Sequence, residues 1–312
     1  MTRPETAFYC VSDARYFLGA VGMINSLRLH GHDEPIHILD CGLTATQREL
    51  LAPQGSVVSA PEEAPPWMLK TVAPFARPAE VMVLIDADVI VTRPMTDLIQ
   101  SAAAGRVLAF ENNVDRYVAE WGELLDLGPL ERRPYICSAF MAAGRPRATE
   151  IVRLMDDRQR RVDFEQTFYG TNDPRYPFLY PDQDVLNAVL AACVEKDRMV
   201  TLERRLLAPM PFEGVRIVDE RAVRCAFEDG VEPYLLHYIL PAKPWLQPMP
   251  DGIYPRLLKR LLSGPDLAIR VPEEELPLRF RRGALAATER KRVDLVARLR
   301  WRLGLALHRL RA

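Results

Sequence analysis

Three things are scarce in this sequence: charge of one sign, cysteine, and long apolar runs. The formal net charge over 312 residues is −1, which leaves no overall electrostatic footprint for a nucleic-acid partner. The five cysteines, Cys10, Cys41, Cys137, Cys193 and Cys225, are odd in number and widely spaced. No C-x-x-C pair occurs, so neither a zinc cluster nor a disulfide framework is expected. Each cysteine sits among apolar neighbours and is expected to pack as a small hydrophobe in a reducing compartment. No basic segment followed by an apolar core opens the chain, and no stretch approaches the length of a membrane span. The expectation is a cytoplasmic chain with no signal peptide and no transmembrane helix.

What is present is an ordinary globular composition, 48% hydrophobic and 27% charged, enough for one large domain or two smaller ones. Short apolar runs alternate with helical periodicity. Ala7–Val11, Ile36–Leu39, Val57-Val58, Val81–Val91, Val107–Phe110 and Tyr135–Met141 read as strands. Tyr16–His30, Thr44–Leu51, Asp97–Ala104, Asn112–Leu127, Ala148–Arg161 and Val185–Val194 read as helices. Thr44 with Gln47 three residues on has the form of a capping box. Phe164–Pro181, rich in Tyr, Pro and Asp, reads as a long loop. Such alternation predicts an α/β fold with a mostly parallel central sheet flanked by helices.

The most informative stretch is Val81–Thr92. An apolar, β-branched run of the kind buried on both faces meets Asp86-Ala87-Asp88. Read as one strand, it points both carboxylates to the same side. An unpaired buried carboxylate is costly, and a divalent cation such as Mn²⁺ or Mg²⁺ would compensate the pair while leaving positions for phosphate oxygens. The plainer alternative is a strand ending in two solvated acids. Asp-x-Asp after a strand also opens the haloacid-dehalogenase phosphatases. There the motif lies near the N-terminus with Thr two residues after the second Asp, whereas here it begins at residue 86 and Ile90 holds that place.

Three further constellations stand out. Ser12-Asp13-Ala14-Arg15-Tyr16 follows the first strand, where ligands bind in open parallel sheets. Asp13 could accept from a nucleoside and Tyr16 could stack on a base, or Asp13 could simply cap the next helix. Asp182-Gln183-Asp184 precedes a helix, with Asp182 at or near its N-cap; carboxylates are favourable there in any case. His237 lies six residues before Lys243-Pro244-Trp245; the first is a metal-ligand type and the second a point charge for phosphate, although a lone His in an apolar strand is more often a core residue.

Taken in order, these motifs resemble the retaining GT-A glycosyltransferases of family eight, the group of glycogenin and bacterial lipooligosaccharide galactosyltransferases. The resemblance covers residues 6–246. It implies that Asp86, Asp88 and His237 bind Mn²⁺ (or Mg²⁺). It implies that Asp13 and Tyr16 hold the nucleotide, most often UDP, and that Lys70 lies near the donor and Lys243 on its diphosphate. Asp182 would hold the donor sugar, and Gln183 would lie near the anomeric carbon. The chain departs from the family's pattern at Arg15, where Asn is frequent, at Cys137-Ser138-Ala139 in place of Asn-Ser-Gly, and at Leu240 in place of Gly. A side chain at residue 240 is expected to set its loop back from the phosphates.

The resemblance thus implies a GT-A domain over residues 1–250, with a helical C-terminal extension over 251–312. It implies sugar transfer from a nucleotide-sugar to a glycan or glycolipid acceptor, as in lipopolysaccharide or polysaccharide synthesis. A non-catalytic nucleotide-sugar or glycan-binding protein of the same fold is the alternative. From Arg281 onward ten Lys/Arg face only Glu289 and Asp294. Val296, Leu299, Leu303, Leu307 and Leu310 share one helical face of that tail, a pattern suited either to peripheral contact with an anionic membrane or to packing on protein.

Overall fold

The computed structural model describes residues 5–61, 66–247, 252–293 and 295–296. They gather into two compact units that interleave along the chain. The first takes Met1–Phe17, Asp33–Ala87 and Pro94–Leu207; the second takes Leu18–His32, Asp88–Arg93 and Ala208–Ala312. In chain order the strands are β1 (Thr6–Ser12), β2 (Ile36–Asp40), β3 (Val57–Ser59), β4 (Val81–Ile85), β5 (Val89–Val91), β6 (Val107–Glu111), β7 (Ile136–Gly144), β8 (Met199–Leu202), β9 (Leu207–Pro209), β10 (Val215–Asp219), β11 (Arg224–Phe227) and β12 (Leu235–His237). The α-helices are α1 (Phe17–Leu29), α2 (Ala45–Leu51), α3 (Val72–Ala76), α4 (Thr96–Ala103), α5 (Trp121–Leu124), α6 (Arg147–Gln159), α7 (Pro181–Cys193) and α8 (Ile253–Ser263).

The first unit is built on a seven-stranded sheet in the order β3-β2-β1-β4-β7-β6-β8. Every pairing is parallel except the two made by β7, so the mostly parallel sheet expected from the alternating pattern is present. Alternate strand residues Ala7, Tyr9, Met82, Leu84, Val107, Ala109, Met141 and Ala143 share one core with Ile151, Met155, Val185 and Val189 of α6 and α7. Their neighbours Phe8, Val83, Ile85, Leu108 and Phe110 are buried as well. A sheet covered on both faces explains why its strands read as unbroken apolar runs. At the end of β7 the backbone passes so close to α4 that a Cβ on Gly144 would stand 2.4 Å from the Ala102 carbonyl. The capping box of α2 forms as expected, with Gln47 N donating to Thr44 Oγ1 at 3.2 Å and Thr44 N to Gln47 Oε1 at 3.1 Å.

Three expectations are corrected. Val81–Val91 is not one strand. β4 lies between β1 and β7, whereas β5 belongs to a different sheet, β5-β12-β9. Asp86 to Asp88 leave the ladder, because two carboxylates cannot continue a strand that is apolar on both faces. Asn112–Leu127 is helical only over α5. Asn112 Oδ1 accepts from Val114 N at 3.0 Å and starts a local turn, while Trp121 Nε1 donates to the Pro177 carbonyl at 2.7 Å, so side-chain bonds outcompete a continuous helix. Finally, α7 begins at Pro181 with Tyr180 as N-cap, placing Asp182 inside the first turn; proline at the first helical position fixes the start.

The second unit holds the β5-β12-β9 sheet, the β10–β11 hairpin, α1 from Leu18 onward, and α8. Helix α8 buries Tyr254, Leu257, Leu258, Leu261 and Leu262, an apolar stripe at spacings of three and four. Asn25 of α1 is fully buried. Its Nδ2 donates to the carbonyls of Leu261 and Ile269 at 2.8 and 3.0 Å, and its Oδ1 accepts from Ile269 N at 2.8 Å. Residues 284–293 are helical, but most of the basic tail, including the apolar face from Leu299 onward, lies outside the described residues. Among the described residues no helix is long and apolar enough to cross a membrane. Replacing Asn25 by Ala strands one N–H and two carbonyls in the core. It is expected to lower the stability of the chain by about 2–4 kcal/mol, read as a drop in the urea midpoint at unchanged slope.

Candidate active site

In the first unit β1 and β4 end at Ser12 and Ile85, and the antiparallel β7 begins at the same edge, with Phe140 opposite Ile85. Carboxyl ends of parallel strands are where such sheets bind ligands. Asp86 follows β4, its N–H held by the Ala139 carbonyl at 3.0 Å. Lys70, between a 3-10 turn (Pro66–Leu69) and α3, places Nζ 2.7 Å from Asp86 Oδ1 and 2.9 Å from Asp182 Oδ2. It also donates to the Ser138 carbonyl at 3.2 Å. Burial alone would pull the Lys70 pKa down, but Asp182 and Asp86 outweigh it and hold the ammonium firmly charged. Ser138 Oγ donates to the same Asp182 oxygen at 2.8 Å. One lysine and one hydroxyl thus tie the Asp86 turn to the start of α7.

Gln183 is fixed beside them. Its Oε1 accepts from Asn112 Nδ2 and from Ser138 N, both at 3.1 Å. Asn187, one turn on, brackets Ile136 by bonding its carbonyl at 3.0 Å and its N–H at 2.8 Å. Asp184 points the other way, into the core, fully buried. It accepts from Arg116 Nε at 3.0 Å, Tyr135 OH at 2.5 Å and Tyr180 N at 2.9 Å. Burial pushes its carboxyl up to about 6, against the pull of those partners. Asp13 Oδ1 accepts from Tyr16 N at 2.8 Å and closes the turn that leads into α1. Because α1 begins at Phe17, this is a bond of the preceding turn and not a cap on the helix's own N–H groups.

The second unit has its own charged cluster. Val89 of β5 pairs with His237 of β12, and Tyr238 N donates to the Asp88 carbonyl at 3.0 Å. Lys243 Nζ donates to Asp88 Oδ2 and to the Tyr238 carbonyl, both at 2.6 Å. His237 Nε2 lies 3.4 Å from Asp88 Oδ1. Asp88, His237 and Lys243 are all buried. Burial opposes ionisation of Asp88, yet His237 and Lys243 hold the carboxyl well below the usual carboxylate range. Among the described residues Asp88 Oδ1 accepts no hydrogen bond. The lysine loop is anchored from behind by Arg279, which donates twice to the Pro244 carbonyl, at 2.9 and 2.6 Å. Leu240 is 42% exposed.

The expected residues therefore fall into two sets, Asp13, Tyr16, Lys70, Asp86, Asp182 and Gln183 in the first unit and Asp88, His237 and Lys243 in the second. Asn112 was not anticipated as part of the site, Ser138 was noted only within the Cys137-Ser138-Ala139 motif, and Arg116 was not anticipated as the partner of Asp184. Asn112 directly follows β6 and could have been suspected from that position alone. Nothing local marks Arg116, because its partner is 68 residues away.

The mostly parallel sheet flanked by helices matches the GT-A fold of solved glycosyltransferases. Neither a family model nor a curated protein matches the sequence. Solved structures do match. One is the bifunctional glycosyltransferase WbbM, with TM-score 0.53 and 12% identity, covering 85% of this chain and 51% of that one. Another is the galactosyltransferase LgtC in complex with donor and acceptor sugar analogues, with TM-score 0.50 and 18% identity, covering 86% and 98%. An active-site mutant of LgtC gives TM-score 0.54 at 15% identity. The chain spans about half of WbbM and nearly all of LgtC. At these identities the likeness is one of fold.

The position of Asp184 makes stability depend on pH. Its folded-state pKa is raised, so between about 4 and 6 the folded chain keeps a proton that the unfolded chain has released. Stability is therefore lost as pH rises across that window, by about 3 kcal/mol for this group. Melting curves of Asp184→Asn at pH 4 and pH 6.5 are expected to show less of this decline than the unaltered chain.

Proposed function

We propose that the protein transfers a sugar from a nucleoside-diphosphate sugar, a UDP-hexose in the simplest case, to a glycan or lipid-linked acceptor, with Mn²⁺ or Mg²⁺ as cofactor. The observation that carries this reading is Asp88. It is a buried carboxylate with one oxygen on Lys243, while the other, 3.4 Å from His237 Nε2, accepts no hydrogen bond among the described residues. A buried anion whose oxygen lacks a donor is suited to a cation. Asp86 is joined to Asp88 through Ala87 alone, so covalent geometry keeps their Cα atoms within about 7 Å. Asp86, Asp88 and His237 together offer two carboxylates and an imidazole, a donor set that fits a divalent ion with positions left for phosphate oxygens. Bound there, such an ion would neutralise charge on a departing diphosphate.

The chain's own groups support the rest of the assignment. Lys243 is a point charge next to that carboxylate and is suited to a diphosphate oxygen. Asp182, braced by Lys70 and Ser138, presents a fixed acceptor for sugar hydroxyls. Gln183, pinned by Asn112 and Ser138, is assigned to the anomeric carbon, with retention of configuration. Tyr16 is assigned to the nucleoside, and Asp13 supports it through the turn rather than by direct contact. Side chains held in place by other side chains, as Lys70 and Ser138 hold Asp182, give the fixed orientation that transfer chemistry requires.

The deciding measurement is release of UDP from UDP-glucose and UDP-galactose with Mn²⁺, alongside GDP- and CMP-sugars. Activity is expected with at least one donor, abolished by EDTA, and reduced about 100-fold or more by Asp88→Asn or Lys243→Ala. Binding of nucleotide-sugar with neither turnover nor metal dependence would sink the transferase reading and leave a non-catalytic binding protein.

A further inference from the structure

The segment 164–180 is a loop whose every turn is tied down. Phe168 N donates to the Leu179 carbonyl at 2.8 Å, Thr171 N to Glu165 at 2.7 Å, Asn172 N to Thr167 at 2.9 Å and Asp173 N to Gln166 at 3.2 Å. Thr167 is fully buried, and its Oγ1 donates to the Phe164 carbonyl at 2.8 Å. Gly170 runs so close to the backbone that a Cβ would stand 2.2 Å from the Glu165 oxygen. This well-fixed scaffold buries a threonine and leaves aromatics in water, with Phe168 44% and Tyr169 48% exposed. Phe164 stacks on Tyr169 with centroids 6.0 Å apart and planes at 11°. Phe168 meets Tyr169 edge-on at 5.6 Å and lies 5.9 Å from Tyr180, the N-cap of α7. Exposed aromatic surface on a rigid support marks a contact surface.

The backbone and ring contacts of Phe168 identify the neighbourhood. Its N–H is held by the Leu179 carbonyl and its ring lies against Tyr180, the residue that caps α7 two positions before Asp182. The exposed aromatic surface therefore adjoins the turn that carries Asp182 and Gln183. Burial also raises the Tyr169 hydroxyl pKa, with Asp182 adding to it.

We propose that Phe168 and Tyr169 form a stacking platform for a pyranose ring of the sugar acceptor. One face of a pyranose carries C–H groups with partial positive charge, which the negative face of an aromatic ring attracts. The donor sugar is assigned to Asp182 and Gln183, deeper in the site. The outward rings meet the molecule that arrives from solution. The word acceptor rests on the transferase reading; the stacking of a sugar ring does not.

The test is saturation-transfer NMR on the full chain with methyl β-glucopyranoside and methyl β-galactopyranoside, with sorbitol as an acyclic polyol of similar polarity. Transfer to pyranoside ring protons is expected, with none to sorbitol. Phe168→Ala and Tyr169→Ala are each expected to weaken binding about two- to tenfold, and Phe168→Trp to retain it, which controls for loss of folding. The platform is overturned if the unaltered chain shows no transfer to either pyranoside. Equal transfer to sorbitol, or binding that survives both alanine substitutions, also overturns it. Pyranoside binding without UDP release removes the transferase reading and leaves the platform. UDP release without pyranoside binding does the reverse.

Discussion

Four carboxylates that the fold takes wholly or largely out of water govern this structure, and each is met by a cation. Asp86 and Asp182 share Lys70, Asp88 has Lys243 with His237 beside it, and Asp184 has Arg116. Removing one partner from such a pair leaves an uncompensated buried charge, which costs far more than the pair itself contributes. The pairing also imposes geometry. Lys70 can reach Asp86 and Asp182 together only if the turn after β4 and the first turn of α7 are both in place. Ser138, which bonds Lys70, Asp182 and Gln183, completes the arrangement from β7. The same side chains are thus structural braces and the groups that chemistry would use.

Much of this was legible in the sequence, and the limits were physical. Six of the seven strands of the large sheet were visible, the central ones because both their faces are covered, so apolar runs stand out against polar turns; the half-buried β8 was not read. The capping box at Thr44 was visible because it is purely local. The break at Asp86-Ala87-Asp88 was not, since apolar residues on both sides look like one strand until the two halves are seen to pair with different partners. Asn112–Leu127 misled because helical spacing was present, but Arg116 and Trp121 are spent on carbonyls of the 176–177 segment. Asp13 illustrates a third limit: closing a turn and binding a ligand ask for the same residue, and only geometry separates them. Leu240, which stands where the resembled family has Gly, is partly exposed to solvent.

The likeness to WbbM and LgtC is a statement about architecture, and one architecture hosts many chemistries. What narrows the function is the particular side chains this chain places at the edge of the sheet and in β12. A histidine paired across from Val89, a lysine buried against an aspartate, and a glutamine locked by two donors are not demanded by packing. Apolar residues would fill those positions at less cost. Their retention in low-dielectric surroundings is the physical argument for a charged ligand.

Asn25 has a consequence in time. The helix that carries it leaves the ribosome early, but its last hydrogen-bonding partner, Ile269, lies 244 residues further on. At about 5–20 residues per second, α1 waits roughly 12–50 s for the groups that satisfy its buried amide. The first unit, whose last strand of the central sheet ends at Leu202, can complete its sheet well before that. Through that interval the Leu261 and Ile269 groups that satisfy the buried amide are missing, so this part of the second unit can close only when the chain is nearly all made.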